Sequence, residues 1–178
     1  MHRTGLALST LLAIGTWSVW AQAPPPPAKI DQQVHANLNQ LMRGALYPAA
    51  NVVFSAQADN PGDAKPIPGR DPSMATDPLT STFGGWLAVE NAALTLAESA
   101  NLLSIPGRTC SSGAPVPITD PAWARFVQQL RDASMQAYRA AQAKDQDKMV
   151  ENSETLSAAC AGCHLKWRDR RTAENRCR

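Results

Sequence analysis

The placement of proline limits what this 178-residue chain can build more than any other feature. Proline lacks a backbone N–H and breaks the interior of a helix or a central strand. Pro61, Pro66, Pro68, Pro72 and Pro78 make residues 60–78 a loop, and Pro106 with Gly107 closes whatever precedes it. The stretches between these breaks show helical periodicity and no strand-like alternation.

The first stretch begins at Ile30. Ile30, Val34, Leu38, Leu41 and Ala45 recur at steps of four and three, predicting a helix that Pro48 kinks or ends, with residues 51–58 able to add two turns. A second helix is expected over residues 86–104, where Trp86, Val89, Ala93, Leu96, Ala100 and Leu103 form a heptad-like seam behind Gly84-Gly85. The third has Thr119 or Asp120 as cap and Pro121 in its first turn. A short turn at residues 144–147 leads into the fourth, which reaches about Arg170 and carries Met149, Leu156, Cys160, Cys163 and Trp167 on one side. The expected fold class is all-α, an antiparallel four-helix bundle.

The amino terminus reads as an export signal. His2 and Arg3 precede an apolar stretch over residues 6–20, and Ala21 or Ala23 offers a small residue for cleavage. The expected organisation is a signal peptide over residues 1–23, a stiff proline-rich linker over 24–29 and a four-helix domain over 30–178. The apolar stretch is short for a retained anchor, and no later segment suits a membrane span. Seventeen Lys and Arg against fifteen Asp and Glu leave a net charge of +2. That near-balance argues against nucleic acid as a partner, because phosphate binding needs clustered cations.

Cys160-Ala161-Gly162-Cys163-His164 is a C-x-x-C-H sequence, the attachment signature of a covalent haem. On a helix, positions i, i+3 and i+4 share a face, so two thiols and an imidazole project together. The thiols add across the two haem vinyl groups and His164 gives a nitrogen to the iron. Two other readings compete. A redox disulfide needs a βαβ context that is missing here. A zinc site would have only Cys110 and Cys177 as further thiols, far away in sequence. One covalent haem c is therefore expected on the terminal helix, in a chain exported to a periplasm.

The run from Cys160 to Arg168, with Trp167 and Arg168 directly after Leu165-Lys166, resembles the end of the cytochrome c-prime family and its low-spin relatives. The resemblance implies His164 as proximal ligand and Arg168 as the proximal arginine, with tryptophan where tyrosine or phenylalanine is usual. It covers the last helix; elsewhere the match is in helix number and order. The loop over 60–78 is longer than the family's, and no arginine stands one turn before the distal candidate.

Only fourteen residues follow His164, none of them Met or His, so a sixth iron ligand has to come from upstream. The family pattern points to the first helix, where Met42 shares a stripe with His35, Leu38, Ala45 and Ala49. Ligation by Met42 implies a six-coordinate one-electron carrier serving redox partner proteins. An apolar residue such as Leu38 over an open iron implies instead a five-coordinate protein binding nitric oxide or carbon monoxide. His35 is the weaker ligand candidate, and core packing is the plain alternative for Met42. An enzyme is not expected: Glu90 and Glu98 read as the solvated edge of an amphipathic helix. A homodimer stays open. Finally, up-down connectivity puts the second loop and the end of the fourth helix at one end, so a Cys110–Cys177 disulfide is expected.

Overall fold

A computed structural model describes residues 31–169 and Cys177. Gln32–Arg178 form one compact unit, with Met1–Asp31 as another. The expected signal peptide, the proline-rich linker, Ile30 and Arg170 lie outside the described residues.

Four helical rods pack against one another, and no strand occurs among the described residues. The first rod starts later than the periodicity predicts. Asn37 Oδ1 accepts the N–H of Gln40 and Gln40 Oε1 accepts the N–H of Asn37, both at 2.9 Å. This reciprocal cap fixes the start of α1 (Leu38–Leu41) and leaves Val34 and His35 ahead of the helix. The rod continues through a π turn (Met42–Leu46) into α2 (Tyr47–Ser55). Pro48 therefore does not end it. A proline ring presses on the carbonyl four residues back, and here the ladder widens just before it, with Tyr47 N–H donating to Met42 O.

The connecting loop makes three single 3-10 turns, each begun by an Asn or Asp before a proline: Asn60-Pro61, Asp71-Pro72 and Asp77-Pro78. In each, the side-chain oxygen takes the N–H two residues on. Gly85, at φ +62°, then turns the chain into α3 (Trp86–Leu102). Asp120 caps α4 (Pro121–Ala143) by accepting the N–H of Ala122 at 2.8 Å. Lys144, left-handed at φ 54°, and Asp145, the cap of α5 (Gln146–Cys163), make the tight turn between them. A second π turn (His164–Arg168) extends the fourth rod.

The core is built around Trp123, Leu96, Met149, Leu156, Val53 and Val89, all essentially sealed from solvent. Ala92, Ala93 and Ala100 of α3 and Ala133, Ala137 and Ala140 of α4 are buried, and small side chains let two helix axes approach closely. In the second loop the buried Arg108 donates through Nε to Leu102 O at 3.2 Å and through Nη1 to Ala36 O. It thereby joins the start of the first rod to the end of α3. Leu38 N–H adds a bond to Thr109 O at 2.8 Å. No helix among the described residues is long and apolar enough to cross a membrane.

Candidate functional site

Cys160 and Cys163 close α5, and His164 opens the π turn that follows. The neighbouring helix dictates how this end of the rod sits. Trp167 is buried, with its ring centroid 5.0 Å from that of Trp123 and 5.7 Å from that of Phe126, both edge-on. Trp123 is fixed in turn by its Nε1–H, which donates to Leu103 O at 3.2 Å. Gly162 lies under Phe126 so closely that a Cβ would run into the ring. Lys166 Nζ meets Asp120 Oδ2 at 2.7 Å and stands 4.7 Å from the centroid of the Trp167 ring. The start of α4 thus grips the segment over residues 162–167 from one side.

The C-terminus grips it from another. Cys110 and Cys177 form a disulfide with their Cα atoms 4.8 Å apart, as the expected helix order implies. Cys177 N–H donates to Trp167 O at 3.0 Å. With that pair closed, Cys160 and Cys163 are free thiols, half-covered and packed against the core cluster that also receives Met42, Phe126 and Tyr138.

Burial raises the pKa of the Cys160 thiol. Burial, with the Cys160 charge beside it, pushes that of Cys163 up to about 11. A dithiol redox catalyst needs the opposite, a stabilised thiolate. Burial, and secondarily the Arg168 charge, lowers the pKa of His164 against an opposing pull from Asp169. This favours the neutral ring, the form a metal ligand requires, and the ring makes no hydrogen bond to a described residue. Among the described residues no three His, Cys, Asp or Glu side chains converge as a ligand set for a bare metal ion. The donor set instead fits a prosthetic group that brings its own ring of ligands: two unpaired thiols one turn apart and an adjacent imidazole not hydrogen-bonded to a described residue, bordered by apolar side chains.

Of the other candidates, Met42 lies in the first π turn, half-buried and against the shared core. His35 is exposed and outside any helix, so it drops out of the stripe, while Leu38, Met42, Ala45 and Ala49 are buried in the core or packed against it. Arg168 is exposed and forks onto Asp169, Nε to Oδ1 at 2.7 Å and Nη2 to Oδ2 at 2.9 Å, while its charge still acts on His164. Glu98 is exposed and accepts from Asn101. A cleft of about 520 Å³ opens at the start of α3, with Glu90 in its wall, and one of about 270 Å³ lies beside Met74. The motif residues line neither. Compared with protein-family models, with curated proteins and with solved structures, the chain matches none.

Proposed function

We infer that this chain is an exported, periplasmic c-type cytochrome with a single covalent haem c that carries one electron at a time between redox partner proteins. Its four helices are read as an antiparallel bundle akin to the cytochrome c-prime family. The observation that carries the reading is the sorting of four cysteines. Two are consumed by a disulfide, and two stay unpaired one turn apart beside an imidazole that makes no hydrogen bond to a described residue. The disulfide also supports an oxidising compartment.

Cys160 and Cys163 would hold the group by thioether bonds and His164 by its neutral nitrogen. When bound, a haem supplies a one-electron iron couple. The chain's own residues do the rest. Trp167, Phe126 and the Lys166–Asp120 pair fix the backbone that presents His164. The apolar residues around the thiols exclude water and favour the less charged reduced state. In this reading Met42 would give its thioether sulfur to the group, a donor that favours the same state. Because the helical core already half-covers both thiols, attachment belongs before the four rods finish closing over them.

Chain produced with a cytochrome maturation system should keep haem-dependent peroxidase staining on a denaturing gel. C160A/C163A should lose it, and unstained wild-type chain would sink the proposal. Ferric and ferrous visible spectra then decide the distal side. A low-spin spectrum that M42A converts to high-spin supports the carrier, and a high-spin wild type supports the gas-binding alternative.

A further inference from the structure

The geometry points to a second site, separate from the motif, that binds a zwitterionic α-amino acid with an apolar side chain in the cleft at the start of α3. It is independent of the haem reading. Lys144 lines this cleft at the far end of α4 from the residues that grip the motif. Lys144 caps α4 eighteen positions after Phe126, roughly 27 Å along the axis.

Several donors open on the cleft. Gly84 and Gly85 cannot carry side chains: a Cβ on Gly84 would meet the carbonyls of Leu79 and Ser81, and Gly85 has φ +62° with Pro61 O beside it. The glycine cap gives α3 no side-chain acceptor, so the N–H groups of Trp86 and Leu87 have no partner among the described residues. A helix start alone says little, but Trp86 adds an independent signal. Its side chain lines the cleft, and the residue is only 8% exposed. Its indole N–H bonds to no described residue, and it is not sealed in the interior. It therefore faces the cleft, on the Gly62 side, where a Cβ would lie 3.2 Å from Nε1. A largely buried indole thus offers the cleft an N–H that no described residue accepts.

The charges select the ligand. The ionisable side chains lining the cleft are Lys144 and Glu90, one of each sign, and neither makes an ion pair with a described residue. A phosphate or a simple carboxylate would suit Lys144 and the N–H groups but be repelled by Glu90. A zwitterion satisfies both: its carboxylate receives from Lys144, the indole and the helix start, and its ammonium donates to Glu90. Pro61, Pro66, Leu79 and Leu87 complete the wall and suit an aliphatic side chain. The volume of about 520 Å³ is within the range of small-molecule sites.

Titrate the purified full mature chain with L-leucine, following the Trp86 indole N–H by NMR and the heat by calorimetry. The expected result is saturable one-to-one binding that shifts the indole signal. K144Q and E90Q, both at solvent-accessible positions, should each weaken it about tenfold or more. W86F keeps the ring and should also weaken it, with circular dichroism checking the fold. Absence of saturable leucine binding overturns the proposal. So does inorganic phosphate or isovalerate binding as tightly as leucine, or E90Q leaving leucine affinity unchanged.

Discussion

Replacing the Cys110–Cys177 disulfide by alanines, C110A/C177A, tests how this fold holds its last turn. The bond spans 67 residues of sequence, enclosing all of α4 and α5. Cross-linking a loop of that length removes enough denatured-state entropy to stabilise the fold by roughly 4 kcal/mol at room temperature. The two sulfurs are also buried, so their loss adds to the entropic term. For a domain of about 150 residues, that deficit lowers the thermal midpoint by roughly 10–15 °C. Guanidinium unfolding followed by tryptophan fluorescence measures it directly, with an unchanged slope showing that the denatured state is comparable. Cys177 N–H also holds the Trp167 carbonyl, so near-ultraviolet circular dichroism from the Trp123–Trp167 pair should weaken even in the folded variant. A loss below about 1 kcal/mol with an intact tryptophan signal would refute the reasoning.

Three further outcomes are expected. G162A should destabilise by about 1–3 kcal/mol through overlap with the Phe126 ring, and G162A/F126A should cost less than the sum of its parts in denaturant titrations. The bond from Lys166, then that from the Ala122 N–H, holds Asp120 below its ordinary 3.8. A depressed carboxylate contributes stability above its unfolded pKa and loses it as pH falls through the folded value. D120N should therefore be less stable at neutral pH and flatter in its stability profile below about pH 4, as acid titrations would record. In chain made without haem, Cys163 at about 11 should alkylate slowly at neutral pH and accelerate tenfold per pH unit toward that value. Labelling at the rate of an ordinary thiol, seen by mass spectrometry, would contradict its burial.

Where sequence and fold agree, the signals are local and chemical. Asp120-Pro121 marks the start of α4, Gly84-Gly85 that of α3, and the turn near Lys144 divides α4 from α5, because caps and glycines act within one turn of their own position. The first rod shows how such signals compete. The apolar stripe through Ile30 and Val34 suggests an earlier start, yet the reciprocal cap of Asn37 and Gln40 decides it. Pro48 leaves two outcomes open in sequence, a kink or an end, and the rod continues past it. Whether a proline ends a helix or is absorbed by a π turn depends on packing around the widened ladder, which periodicity does not encode.

The site divides along the same line. The i, i+3, i+4 spacing of Cys160, Cys163 and His164 is readable because a helix enforces it, and the Cys110–Cys177 pairing follows from helix order. The supports are not readable, since each depends on a residue from another element. Gly162 occupies a variable position of C-x-x-C-H, and only Phe126 across the helix interface makes glycine necessary there. Arg108 has no acidic partner among the described residues to betray its burial; it donates to the carbonyls of Ala36 and Leu102. These supports share one mechanical consequence. Trp167 is fixed by its rings and its carbonyl, and Lys166 by Asp120, so the turn beginning at His164 cannot rotate about the axis of α5 without breaking contacts to both α4 and the C-terminus. The backbone that carries the His164 imidazole is thus ordered by folding itself, through contacts made two and three residues further on.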